Sequence, residues 1–159
     1  LCAGAREHWH VEGEVVRAAF TEPWKGWTPD TEGADGLDDE EPALILISGD
    51  LRARWVPAFF SDAAHTIAQV EREPGYTGGL AIASGPFNTT SCSVWRAYAD
   101  ARRYAFGAGH HRDAMRRDRA EGHHRTEWFL RIRPLAERGT LEGAAPVARA
   151  RAARVALPS

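Results

Sequence analysis

The sequence has few of the residues that mark disulfide-bonded, metal-clustered or membrane-spanning proteins. Its 159 residues include two cysteines and one methionine, so we expect neither a disulfide framework nor a cysteine-rich zinc site. The longest uninterrupted apolar run, Ala43 to Ile47, is far shorter than the roughly 20 residues that a membrane-spanning helix needs. No charged and then apolar leader opens the chain. We therefore expect a cytoplasmic protein without a membrane span.

Lysine is nearly absent as well, and the charge is unevenly distributed. Lys25 is the only lysine. Residues 1–42 hold eleven acidic residues against three basic ones, a net charge of −8, whereas the rest of the chain has a net charge of +6. A basic, arginine-rich surface attracts nucleic acids, but no aromatic platform or recognition motif accompanies it. We therefore expect no nucleic-acid partner.

The composition divides the chain into three parts. Residues 1–42 are predicted to be an acidic N-terminal extension and linker, with one or two short strands before a loop rich in Gly, Asp and Glu. Residues 43–136 are predicted to be the folded domain. Residues 137–159 are predicted to be a C-terminal extension, in which a strand or loop precedes a frayed tail. A further hypothesis makes the acidic segment a docking element for a basic partner.

Alternation and helical spacing predict the order β-α-β-β-α-β within residues 43–136. The first helix carries an apolar stripe at steps of three and four, and Pro57 suits its first turn. The second helix is expected to break at Gly107 and Gly109, since an interior glycine costs about 1 kcal/mol. The predicted strands cover residues 43–48, 76–84, 90–96 and 128–134, and the predicted helices cover 55–73 and 99–119. This order is the ferredoxin-like arrangement, an α+β fold.

The strand at 90–96 has two different faces. Cys92 and Val94 point to one side, and Ser91, Ser93 and Trp95 point to the other. The first face suits packing under helices, and burial there would make Cys92 inert. The second face is small, polar and aromatic, which is typical of a cavity wall, although a solvent-facing side with one exposed Trp is the alternative.

Three segments together resemble the spheroidene-monooxygenase-like family of the dimeric α+β barrel superfamily, which includes antibiotic-biosynthesis monooxygenases. They are a helix closed by Glu-Pro-Gly, the run Ser-Cys-Ser-Val-Trp-Arg at 91–96, and the runs Tyr-Ala-Phe at 104–106, His-Arg-Asp-Ala-Met-Arg-Arg at 111–117 and Glu-Trp-Phe at 127–129. The sequence departs from the family at Ala97, where an acidic residue usually follows the Trp-Arg pair. The resemblance implies a homodimer of ferredoxin-like units whose sheets form a barrel.

The resemblance also implies a haem-dependent monooxygenase that acts on a hydrophobic small molecule, in the manner of secondary metabolism. His111 would then bind haem iron, with His110 as the alternative ligand if Gly109 breaks the helix. Arg96 would bind a haem propionate or a substrate carboxylate. The remaining expected site residues are Trp95 and Trp128 as a flat wall, Tyr104 as a hydrogen-bond donor and Met115 against the porphyrin.

Several alternatives stay open. Ordinary core packing is the competing interpretation of Trp95 and Trp128, and a surface or core position is that of His111. A non-haem metal site is another hypothesis, with ligands from His8, His10, His123 and His124 and a carboxylate from Glu7, Glu12 or Asp113. The alternative functions are a cofactor-free oxygenase or cyclase of the same fold, or a non-enzymatic protein that binds haem or another small ligand. No nucleophile elbow or phosphate-binding loop is present.

Overall fold

A computed structural model describes residues 7–23, 26–32, 34, 36–85 and 87–155. Five strands and four α-helices follow one another in the order β1, β2, α1, β3, β4, α2, α3, β5, α4. Their bounds are Trp9–Phe20 (β1), Ala43–Leu51 (β2), Val56–Val70 (α1), Tyr76–Ser84 (β3), Asn88–Trp95 (β4), Tyr98–Phe106 (α2), His110–Glu121 (α3), His124–Gly139 (β5) and Pro146–Val155 (α4). No helix in these residues is long and apolar enough to span a membrane.

The sheet is antiparallel, and its strand order is β1-β5-β2-β4-β3. The predicted order β-α-β-β-α-β is confirmed for β2 to β5, with the second helix divided into α2 and α3 between Phe106 and His110. The fold is therefore α+β and ferredoxin-like. Between the predicted strands at 76–84 and 90–96, the sequence Gly-Pro-Phe-Asn also predicts a turn at 85–88, and its Pro86 lies outside the described residues.

At the two ends of the chain, one prediction is confirmed in element type and one is wrong. The weakly alternating N-terminal segment, predicted as one or two short strands, forms one long strand, β1, which pairs with β5 from Trp9↔Gly139 to Phe20↔Trp128. The C-terminal segment forms α4 instead of a frayed tail, because Val147 and Ala150 are 0% exposed against the sheet. The sheet therefore includes residues from both sides of the predicted domain boundaries at residues 42 and 136. These two boundaries stay predictions.

The linker before β2 is packed at its C-terminal end. Leu37 is only 8% exposed and joins the core under α2. The backbone N–H groups of Tyr98 and Ala99 donate hydrogen bonds to the carbonyls of Glu41 (2.8 Å) and Asp39 (2.9 Å). Because these are the first N–H groups of α2, the linker caps that helix.

The two faces of the sheet carry different layers. On the first, which we call the α1–α3 face, Ala43, Ile45 and Trp95 pack against Tyr98 and Ala101 of α2. On the second, which we call the α4 face, Leu44 and Val94 pack against Val147 and Ala150 of α4. The predicted sides of β4 are therefore confirmed, since Val94 and Trp95 lie on opposite faces.

A glycine in β3 lets α4 approach the sheet. A Cβ on Gly78 would lie 2.8 Å from Cγ of Pro146, the first residue of α4, and the φ of Gly78 is +150°. A larger residue would therefore be strained and would push α4 away. The glycine-rich sequence of this strand thus reflects the close contact of α4 with the sheet.

Candidate active site

An aromatic column connects the sheet to α2 and α3 on the α1–α3 face. The ring of Tyr76 contacts Trp95 edge-on, with centroids 5.7 Å apart, and Trp95 contacts Tyr104 at 5.2 Å. Tyr104 stacks on His111 with centroids 4.6 Å apart and ring planes 14° from parallel. Trp95, Tyr104 and His111, all predicted site residues, are thus brought together.

The polar atoms of Trp95 and Tyr104 are held by short local contacts. The indole Nε1–H of Trp95 donates to Oγ of Ser93 (2.9 Å), which the alternation of β4 places on the same face. The Tyr104 hydroxyl donates to the carbonyl of Thr66 in α1 (3.2 Å). Burial raises the pKa of Tyr104, so this hydroxyl stays protonated and ties α2 to α1.

His111 lies in the first turn of α3, and its imidazole is free to accept a proton or a hydrogen bond. Its backbone N–H donates to Oε1 of Gln69 (3.3 Å), which fixes the start of α3 against α1. Burial, followed by the neighbouring His110, lowers the pKa of His111 to about 4. Within the described part of the chain, no group hydrogen-bonds to either ring nitrogen. The ring is therefore a neutral acceptor near pH 7.

His110, the alternative ligand, faces α1 instead. Its Nε2 lies 3.4 Å from Oδ1 of Asp62, a contact without hydrogen-bond geometry. Its ring lies 5.0 Å from that of His65. The carboxylate of Asp62 also accepts two hydrogen bonds from Arg117, both at 2.7 Å. His110 thus belongs to the contact between α1 and α3.

The α1–α3 face is incompletely filled between its two ends. Ile47 lies on the central strand β2 and on this face, yet it is 41% exposed. Its partner across β4 is Ser91, which is also exposed. This part of the sheet is therefore an exposed surface that the helices leave open. We call this exposed surface the cleft, and the aromatic column stands beside the Ile45 end of it.

Two other predicted residues do not join the column in the expected way. The Arg96 guanidinium donates to the buried carboxylate of Asp100 through Nε (3.0 Å) and lies 2.8 Å from it through Nη2. Arg103 also pairs with Asp100, at 2.7 Å. Arg96, which lies between β4 and α2, is therefore paired with Asp100 of α2. Met115 follows His111 by one turn of α3 and is partly buried.

Trp128 lies on the α4 face, opposite to Trp95, which corrects the expectation of a shared wall. The register pairs Trp95 with Ala43 and Trp128 with Ser48, five residues apart on β2, so the two side chains point to opposite faces. Trp128 stacks on Phe20 with centroids 4.8 Å apart and on Trp27 at 6.1 Å. A shallow pocket on the α4 face, separate from the cleft, lies beside Trp128 and is lined by Ser48, Asp50, Asn88 and Thr126.

The histidines and carboxylates of the non-haem hypothesis do not converge. Glu7 accepts hydrogen bonds from Thr140 and Gly143, and His10 lies 3.6 Å from Glu12 on the exposed side of β1. The nearly buried His123 pairs with Glu121 at 2.8 Å. Asp113 is exposed beside Arg112, 3.9 Å away. The non-haem metal site hypothesised from the sequence is therefore not assembled from these residues.

The structure brings together three side chains with metal-binding donor atoms, of which the sequence analysis named only His124 as a candidate ligand. Asp118, His124 and Glu127 offer donor atoms that lie within 4.8 Å of one another. One local signal for Asp118 exists, because it follows His111 by seven residues and so shares its side of α3. The reversal of the chain from α3 into β5, which closes the cluster, is a tertiary feature without a sequence motif.

Cys92 is partly buried and lies on the α4 face, the side that was expected. Burial raises the pKa of its thiol to about 12. The thiolate is the reactive form of cysteine, and it is scarce at neutral pH in this environment. Cys92 therefore acts as a packing residue.

The fold is similar to that of several oxygenases of known structure. A putative monooxygenase from Fusobacterium nucleatum superposes with a TM-score of 0.55 at 8% identity, over 68% of this chain and 49% of that one. The cofactor-independent oxygenase SnoaB from Streptomyces nogalater gives 0.46 at 19% identity (57% and 90% covered), and an antibiotic biosynthesis monooxygenase gives 0.46 at 10% (65% and 99%). No protein-family model and no curated protein sequence matches the chain. The chain therefore shares its ferredoxin-like α+β fold with the Fusobacterium protein.

Proposed function

We propose that this protein is a monooxygenase-like oxidoreductase that binds a hydrophobic, hydroxylated small molecule in the cleft on the α1–α3 face. The observation that carries the proposal is the imidazole of His111, stacked on Tyr104 and without a hydrogen-bond partner in the described residues. A neutral imidazole beside an apolar cleft accepts a hydrogen bond from a substrate hydroxyl and so orients its ring. The similarity to the Fusobacterium monooxygenase agrees with this class of reaction.

The cleft has the composition of a small-molecule site. Its described floor combines an apolar and a small polar side chain, Ile47 and Ser91, on neighbouring strands. The indole of Trp95, which is only 2% exposed, lies beneath the column at its Ile45 end. Small-molecule sites are mostly apolar and aromatic, with a few polar groups that fix orientation. Ser93 is less available for that polar role, because one lone pair of its Oγ already accepts the Trp95 N–H. His111 is therefore the polar group that the proposal uses.

The residues expected to hold haem do not fit that group as a set. A neutral His111 is a suitable axial ligand. The expected propionate partner, Arg96, is paired with Asp100, and the expected wall residue Trp128 lies on the opposite face of the sheet. The proposal therefore contains no haem step, and among the functions considered it favours the cofactor-free oxygenase.

Absorption spectroscopy and oxygen uptake test this proposal. The protein, expressed with haem precursor, is expected to show no Soret band. With dihydroxynaphthalene as probe, one O₂ is expected to be consumed for each molecule of quinone and each molecule of water that form. His111→Ala is expected to slow this oxidation at least tenfold. His65→Ala is the matched control, since His65 is exposed on α1. A stoichiometric Soret band lost in His111→Ala would restore the haem hypothesis, and binding without turnover would leave a ligand-binding protein.

We also propose that the protein is a homodimer through the part of the α4 face that α4 leaves open. Ile82 is 54% exposed on β3, the edge strand, and lies on the same face as Leu80 and Cys92. An apolar group on an open sheet edge is covered by a partner in many soluble proteins. The cytoplasmic location expected from the sequence stays a prediction.

A further inference from the structure

The cluster of Asp118, His124 and Glu127 joins the end of α3 to the start of β5. Nδ1 of His124 is hydrogen-bonded to Oδ2 of Asp118 (2.8 Å) and lies 3.4 Å from Oε1 of Glu127. All three donor atoms lie within 4.8 Å of one another. One ring nitrogen therefore faces two carboxylates that come from different elements.

The His124 ring is positioned by contacts that do not involve the two carboxylates. Phe59 of α1 contacts it edge-on, with centroids 5.4 Å apart and planes at 90°. On the sheet side, the ring lies over Gly49, where a Cβ would come within 2.8 Å of Cδ2. The glycine and the phenyl ring thus hold Nδ1 towards the carboxylates. The orientation of this ligand is built into α1 and β2.

The separations of the donor atoms match those around a bound metal ion. With metal–ligand bonds of about 2.1 Å, neighbouring ligands of an octahedral ion lie about 3 Å apart. The two measured separations, 2.8 and 3.4 Å, bracket this value. One imidazole and two carboxylates form a donor set that suits divalent ions such as Zn²⁺, Fe²⁺ and Mn²⁺.

We propose that Asp118, His124 and Glu127 bind one divalent transition-metal ion. The Glu127 side chain is 52% exposed, so water has access to the ion, and the site is of the open kind that keeps coordination positions for water or substrate. Asp118 follows His111 by seven residues, which is about 10 Å along α3. The ion would therefore lie at the Gly49 end of the cleft, with Ile47 between it and the aromatic column.

This inference does not depend on the proposed function. A monooxygenase-like reaction beside His111 and a metal ion at Asp118 are separate claims about the two ends of one cleft. The competing interpretation of the cluster is an ion pair, in which protonated His124 neutralises the carboxylates. The two interpretations differ because metal binding displaces the proton from Nδ1.

Calorimetric titration with Zn²⁺ distinguishes them. The wild-type chain is expected to bind one Zn²⁺ and to release protons, which is measured by repeating the titration in buffers of different ionisation enthalpy. Asp118→Asn and His124→Gln are each expected to weaken binding by more than about tenfold. Asp113→Asn is the matched control, because it removes the same charge from an exposed position of the same helix and is expected to leave the affinity unchanged. Equal binding by wild type, Asp118→Asn and His124→Gln would overturn the proposal.

A measurement on the wild-type chain alone covers the case in which a variant fails to fold. Substoichiometric Mn²⁺ is added to isotope-labelled protein, and amide signals broadened by the paramagnetic ion are mapped. Broadening is expected at residues 118–127 and on β2 near Gly49, and none is expected around His10. Broadening centred on His10 and Glu12, or no broadening at low Mn²⁺ concentration, would show that the cluster is an ion pair only.

Discussion

The two faces of the sheet differ where helices pack on them. Beneath α4, the α4 face buries aliphatic groups completely, since Val94, Val147 and Ala150 are all 0% exposed. The α1–α3 face carries the aromatic column, a half-exposed Ile47 and an imidazole without a hydrogen-bond partner in the described residues. Complete aliphatic burial favours stability, whereas the exposed surface around Ile47 leaves space for a ligand. The difference therefore assigns stability to the part of the α4 face beneath α4 and small-molecule binding to the α1–α3 face.

The largest effect is expected from a charge placed on the α4 face. Val147→Asp would bury an unpaired carboxylate against Leu44 and Val94, which we expect to lower the free energy of unfolding by at least about 3 kcal/mol. Denaturant titration followed by circular dichroism measures this. Ala152→Asp adds the same charge at an exposed position of α4 and is expected to change stability little. Equal stability of wild type and Val147→Asp would show that α4 does not pack as described.

A smaller effect is expected from the buried ion pair beside the α1–α3 face. Asp100 is 3% exposed and binds Arg96 and Arg103. Asp100→Asn leaves the guanidinium of Arg96 partly buried without its anion, and we expect a cost of about 2 kcal/mol, measured by thermal unfolding. Arg103→Gln is the control, since the Arg103 side chain is 56% exposed, and its cost is expected to stay below about 1 kcal/mol. Similar costs for the two variants would contradict the assignment.

The pH dependence of the free energy of unfolding tests the burial of His111 on the α1–α3 face. The pKa of His111 is about 4 in the folded protein, against an ordinary value of 6.5. Between these pH values the unfolded chain binds more protons, so the free energy of unfolding rises with pH, and the contribution of His111 is lost as the pH falls towards 4. We expect this contribution to reach about 2 kcal/mol, allowing for the partial exposure of the ring.

His111→Ala isolates that contribution. The variant is expected to flatten the rise in stability between pH 4 and 6.5, whereas His65→Ala is expected to leave it unchanged. Chemical denaturation at several pH values measures both. A wild-type and a His111→Ala profile of the same slope would mean that the imidazole is not buried as the structure places it.

The smallest change in the free energy of unfolding is expected from Ile82→Lys on the edge strand β3. This substitution is instead expected to change the oligomeric state. The wild-type chain is expected to scatter light as a particle of about twice 17.5 kDa, and Ile82→Lys as a single chain. Ala83→Lys places the same charge on the other face of β3 and is expected to remain dimeric. A monomeric wild-type protein at micromolar concentration would contradict the proposed interface.

The sequence predicts the frame of the fold better than the site. Alternation in β4 and the stripe of α1 are local patterns, so the faces of Trp95 and Val94 and the β-α-β-β-α-β order follow from them. The pairing of β1 with β5 and the docking of α4 are long-range, and the arginine-rich, alanine-rich sequence of α4 has only a short apolar side. Local sequence therefore indicates a tail where the structure has a packed helix.

The site residues divide in the same way. Helical spacing places Tyr104 and His111 on one side, but residues seven apart in a continuous helix lie about 10 Å from each other. Their stacking therefore depends on the break between α2 and α3. The face on which Trp128 lies is fixed by the register between β2 and β5, and no short motif encodes that register. The pairing of Arg96 could be predicted only if the burial of Asp100 were known, and that burial depends on the packing of α2 against the loop at Gly75.

The indole N–H signals of Trp95 and Trp128 test the central claim most directly, because they report on opposite faces of the sheet. Both are assigned in nitrogen-15 spectra with Trp95→Phe and Trp128→Phe, and naphthol is then added to the wild-type protein and to His111→Ala. The account predicts that the Trp95 signal shifts in a saturable manner, that Trp128 stays fixed, and that His111→Ala weakens the binding. A shift of Trp128 with Trp95 unchanged would place the ligand site on the α4 face and contradict the account.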